Sequence, residues 1–152
     1  MRMVWGFYFR KGKVYVPIVA RTEAGYYLNI EPVAVVDADD FGGVVSAIQA
    51  AIERGNPAVP TPSRANFPKP VVLRYAGVKS WPQFERESLN WSVEKTVDVY
   101  RIVPGRCAPD GGWVDDDVHA ETLPPGTTPE AVAKRMARII QGVAKDASER
   151  KA

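Results

Sequence analysis

The sequence predicts an α+β fold: a mostly antiparallel sheet of about six strands with two to three helices packed on one face. Three observations lead there. Short apolar segments with period-two alternation recur in pairs joined by turn residues, as hairpins require. Helical spacing is sustained in only two or three places. Strands and long helices do not alternate regularly, so a parallel sheet built from βαβ units is not expected. The 152 residues, 45% hydrophobic and 25% charged, suit a single globular domain spanning 1–152.

Val4–Phe9 is aromatic and β-branched, as strands are. Arg10-Lys11-Gly12-Lys13 reads as a turn, and Val14–Arg21 alternates, completing an N-terminal hairpin. Pro17 cannot donate to a ladder, so this second strand is expected at an edge or with a bulge. Tyr26–Val36 is a longer strand with Pro32 as its irregularity, and Val33-Ala34-Val35-Val36 predicts a covered, central position. Asp39 or Asp40 would cap a helix striped by Val44, Val45, Ile48 and Ile52 and stopped by Gly55; Gly42 and Gly43 weaken its first turn.

Five prolines between residues 56 and 70 predict an extended surface crossing. Val71–Tyr75 reads as a short strand. Ser80 would cap a short helix carrying Pro82 in its first turn, with Gln83 at capping-box spacing and Trp81 and Phe84 as anchors. Asn90–Lys95 and Val97–Val103 form a second hairpin around Lys95-Thr96, and Trp113–Val114 starts one more strand. The last helix begins at Thr127 or Thr128 with Pro129 in its first position, and Val132, Met136, Ile139, Ile140 and Val143 form its stripe. Residues 145–152 are polar and expected to fray.

Net charge is only +2, but the signs come in blocks. Residues 1–21 carry five bases and no acid, 59–79 four bases and no acid, and 80–130 ten acids against four bases. Such blocks can fold into patches of opposite sign. The single Cys107 rules out an internal disulfide, and the N-terminal apolar stretch is too short for a signal-peptide core. No apolar run is long enough to span a bilayer. The expectation is a cytoplasmic protein.

Chemistry is hard to find. His119 is the lone histidine and lies in the acidic segment 115–121, away from any recognisable nucleophile. One Cys and one His cannot build a zinc site. Asp115, Asp116 and Asp117 lack the alternation and glycine of a calcium loop, and no phosphate-binding glycine motif occurs. Paired carboxylates of the glycosidase type leave no local signature, and nothing singles out a pair. No catalytic residue, metal or cofactor is therefore assigned. A nucleic-acid reading remains open: the N-terminal hairpin sets five bases among Trp5, Phe7, Tyr8, Phe9 and Tyr15, and the 59–79 loop adds more. The modest net charge argues against it. Of the four tryptophans, Trp81 and Trp91 are expected inside, and Trp113 partly exposed as a contact residue.

Three stretches together carry a resemblance: Gly77-Val78-Lys79-Ser80-Trp81 with Phe84-Glu85; Trp91-Ser92-Val93 leading to Tyr100-Arg101-Ile102; and Gly112-Trp113-Val114-Asp115-Asp116 ahead of Leu123-Pro124-Pro125-Gly126-Thr127. Over its last half the chain resembles immunity proteins of contact-dependent growth inhibition and related polymorphic toxin systems. The resemblance implies a cytoplasmic protein that binds and neutralises one toxin domain, often a nuclease. Acidic and aromatic side chains would then plug a basic cleft. Trp113, Asp115, Asp116, Asp117 and Glu121, with Asp37, Asp39 and Asp40, are the residues suited to that contact.

Overall fold

A computed structural model describes residues 2–151, with side chains through residue 149. Its sheet runs β3-β2-β1-β5-β6-β7, almost entirely antiparallel. The strands on this path are β1 (Arg2–Arg10), β2 (Lys13–Thr22), β3 (Tyr27–Asp37), β5 (Leu89–Thr96), β6 (Val99–Cys107) and β7 (Trp113–Asp115). Two-residue strands flank it: β4 (Ala58–Val59) lies parallel to β2, and β8 (Glu121–Thr122) pairs with β6. Among the described residues four α-helices and a 3-10 turn (Asp117–His119) complete the α+β fold: α1 (Phe41–Arg54), α2 (Val72–Ala76), α3 (Trp81–Glu87) and α4 (Pro129–Lys151).

Strand alternation sorts the core into two layers. Trp5, Phe7 and Phe9 of β1, Trp91 and Val93 of β5, and Tyr100 and Ile102 of β6 face α1 and α4. The stripes of those helices meet them: Ile48, Val132, Met136 and Ile140 are wholly buried. Tyr8 and Tyr15 face the other way, onto Val72, Leu73 and Phe84 of the short helices. Helices therefore cover both faces, not one. Each buried aliphatic or aromatic side chain contributes about 1.5–3 kcal/mol relative to exposure.

Several local expectations hold at atomic detail. Asp40 caps α1, accepting from the Gly43 backbone N–H at 3.0 Å. Ser80 caps α3 through the Gln83 N–H at 3.3 Å, and Thr128 caps α4 through the Ala131 N–H at 3.2 Å. Gly43 is also a steric necessity, because a Cβ there would lie 2.4 Å from the Asp40 carboxylate and 2.9 Å from Val36. The glycine that weakens the helix start makes room for its cap.

Other expectations are corrected. Residues 72–75 belong to α2, with Val71 at its N-cap, and not to a strand, since Gly77 in the left-handed conformation closes a single helical turn that buries Val72 and Leu73. The second hairpin turns at Val97-Asp98: Thr96 pairs with Val99, and Val97 is 89% exposed. β3 is an edge strand, with Ala34 and Val35 exposed. At Pro17 the expectation of an edge or a bulge is met by a bulge: β2 lies between β1 and β3. The register of β2 on β3 shifts at Pro17/Ile18, where Glu31 and Pro32 are the extra residues. α4 runs on to Lys151, so residues 145–151 are helical in the structure, and Ala152 lies outside the described residues.

Candidate functional site

Two surfaces could contact a partner, and Pro17 helps create the first. The β1–β2 hairpin pairs Arg10 with Lys13, Phe9 with Val14 and Tyr8 with Tyr15. In continued register Gly6 would face Pro17, which has no N–H to give. The ladder ends there, and the strands separate like a fork. Asn56, from the loop after α1, fills the gap. It accepts from the Val4 N–H at 3.1 Å and donates Nδ2 to Val4 O at 2.8 Å and Val19 O at 2.9 Å. One amide thus stands in for a missing strand.

A cleft opens at this fork on the face that α2 and α3 leave partly bare. Gly6, Tyr8, Asn29, Asn90, Trp81 and Trp113 line it, with Ser92 beside them. The aromatic rings interlock. Trp81 stands edge-on to Trp113 at 5.4 Å, Tyr8 lies 5.6 Å from Trp113, and Phe84 stacks on Trp81 at 5.5 Å from below. Trp113 is half-buried as expected, but Trp81 is half-buried too rather than enclosed. Asn29 Nδ2 donates to the Tyr8 hydroxyl at 3.0 Å. Burial pushes the Tyr8 phenol above its ordinary value, and the Asn29 bond offsets part of that rise.

The second surface is the acidic edge after β7. Asp115 is exposed and forms no ion pair among the described residues. Asp116 lies 2.7 Å from His119 Nδ1, and this neighbour holds its carboxyl below the usual range. Asp117 accepts from Arg101 Nη2 at 2.8 Å. Glu121 accepts from Arg135 Nε at 2.8 and 3.1 Å. Three of the four acids are thus answered from within the chain. Arg101 also lies 3.7 Å from Glu94, which Arg2 reaches at 2.8 Å. Charges of alternating sign therefore run across the open end of the sheet.

The other three predicted acids stand apart. Asp37 pairs with Lys13 at the end of β3, Asp40 serves as a helix cap, and Asp39 lines a groove with Arg138 and Lys145 of α4. β3 and β7 end the strand path, so the two acidic groups are separated by five strand spacings, roughly 24 Å. They do not merge into one patch. Trp113, Asp115, Asp116, Asp117 and Glu121 do share one edge.

The nucleic-acid platform is also corrected. Trp5, Phe7, Tyr8, Phe9 and Tyr15 are all at least nine-tenths buried, because alternation sends successive rings into the two cores. None is free to stack on a base. Sequence reasoning missed Asn29, Asn56 and Asn90, since lone asparagines carry no spacing signal. The proline at 17 was the one available hint of the fork.

No helix among the described residues is long and apolar enough to cross a membrane, and no group of three metal-ligating side chains gathers there. The architecture is that of an α+β protein with a split antiparallel sheet. No family model and no curated protein matches the chain. Solved structures with the same fold do. One is a protein of unknown function from Neisseria meningitidis, 13% identical, with a TM-score of 0.61 covering 90% of this chain and 93% of that one. Another is a chain of the CdiA-CT/CdiI toxin and immunity complex from Yersinia pseudotuberculosis, 10% identical, with a TM-score of 0.60 covering 92% and 97%.

Proposed function

We propose that this chain is an immunity protein that binds a cognate bacterial toxin domain and neutralises it by covering its active cleft, with no chemistry of its own. The observation that carries this reading is the end-to-end fold likeness to a chain of a toxin and immunity complex. The sequence resemblance over the last half of the chain points the same way. So does the surface, where partly exposed tryptophans lie beside an acidic edge, a pairing suited to a basic cleft. In this reading Asp115 and Asp117 contact the partner, and Trp113 anchors the contact from the neighbouring cleft. Asp37, Asp39 and Asp40, on the far edge, are outside the contact.

The test is co-expression. Cells producing the toxin domain encoded beside this gene should survive when the chain is supplied and die without it. Asp115→Lys with Asp117→Lys should weaken the purified complex by about tenfold to a thousandfold, the effect of losing close charge pairs. Survival without the chain, or death despite it, contradicts the immunity reading. Undiminished affinity in the double variant contradicts the assigned edge.

A further inference from the structure

We infer that the fork cleft is a receptor for a guanidinium group, an arginine side chain presented by the protein partner; this rests on the binding role proposed above. The argument begins with what the cleft offers. Both of its asparagines turn their amide nitrogen to acceptors inside the protein, Asn90 to two and Asn29 to one. Asn90 donates Nδ2 to Phe7 O at 3.3 Å and to Trp91 O at 3.4 Å, and Asn29 donates to the Tyr8 hydroxyl. Each is left with an amide oxygen that no donor among the described residues engages. Such an oxygen accepts hydrogen bonds and cannot donate them.

The position of the Asn90 oxygen depends on a glycine. A Cβ at residue 105 would lie 2.4 Å from it and 3.3 Å from the Trp113 ring. Gly105 therefore admits this acceptor beside the aromatic wall. The lining carries no charged side chain, so an entering anion finds no cation. An entering cation finds indole rings and the two amide oxygens, beside the hydroxyls of Tyr8 and Ser92, which can accept as well as donate. On the neighbouring strands Arg2, Glu94, Arg101 and Asp117 are paired with one another.

Arginine fits this set best among side chains. It brings five N–H donors on a planar, weakly hydrated cation that stacks on aromatic rings. Lysine brings a compact, strongly hydrated charge and no plane. The cleft's volume of about 310 Å³ takes one long side chain rather than a chain segment. Arginine is also the residue expected in a cleft that handles phosphate groups. The proposed role of the site is thus to hold one such arginine out of action.

The experiment uses the purified full chain and two probes of equal shape, N-acetyl-arginine methyl ester and its uncharged citrulline counterpart. Tryptophan fluorescence and the side-chain amide signals of Asn29 and Asn90 report binding. The arginine probe should give saturable, millimolar changes at those signals, and the citrulline probe should bind at least about tenfold more weakly, or 1.4 kcal/mol. Ser92→Arg, which places the chain's own arginine at the cleft, should abolish the titration and reduce protection from the toxin. Asn29→Ala, a milder change on an edge strand, should weaken the arginine probe several-fold. Equal response to both probes, or none, overturns the inference even where the chain protects cells. Discrimination between probes without protection leaves the cleft standing and removes the immunity reading.

Discussion

Asn56 is 52 residues from Val4 in sequence and 37 from Val19, yet it joins the two strands where their own ladder fails. Replacing it with leucine would leave the Val4 N–H and two carbonyls without partners. Unpaired, partly buried polar groups cost about 1–3 kcal/mol each, less where water reaches them. Asn56→Leu should therefore lower the unfolding free energy by about 2–3 kcal/mol, measured by urea denaturation. A loss below about 0.5 kcal/mol would mean that the fork holds without its bridge. At this scale the sequence is legible only where a residue type has one dominant use. Ser80 could be read as a cap, and Asp40 and Thr128 each as one of two neighbours, because an oxygen before a helix has a single obvious task. Asn56 could not, because an asparagine in a proline-rich crossing usually serves its own turn. Its real partners depend on how distant strands are arranged.

Among the elements, α1 and α4 were readable and α2 was not. Stripes of four or five apolar positions determine a helix and its buried face. Val71–Tyr75 is too short for periodicity to decide, and its β-branched start suggested a strand. Packing and the left-handed Gly77 settle it as helix. The same limit hid the second layer. Strand alternation gives two apolar faces, but the sequence does not say that short helices cover the second. α3 depends on Phe84, which is wholly buried and touches Tyr8, Tyr15, Trp81 and Trp113. Phe84→Ala should cost about 3–5 kcal/mol. It should also red-shift tryptophan emission, as Trp81 loses the ring stacked on it. A cost under 1 kcal/mol would show that α3 docks by other means.

At the scale of the whole molecule, the α+β class and the mostly antiparallel sheet followed from hairpin spacing and turn chemistry. The grouping of charges did not. Acidic blocks distant in sequence can fold together or apart, and here the sheet order sends them to opposite edges. Only the topology turns eight candidate contact residues into five on one edge. It also places that edge near the aromatic cleft, because Trp113 belongs to both. The result is one continuous flank with acids outside and rings within. Under the proposed immunity reading this flank would occlude the partner's cleft, and the complex itself would be the inhibited state. Occlusion requires one molecule of this chain for each toxin domain. Titrating a fixed amount of purified toxin domain with the chain, and assaying the toxin's activity at equilibrium, is the most direct check. Activity should fall linearly and vanish at one equivalent, with a 1:1 complex on gel filtration. Full toxin activity at several equivalents, or progressive loss at a small fraction of one, would contradict the account.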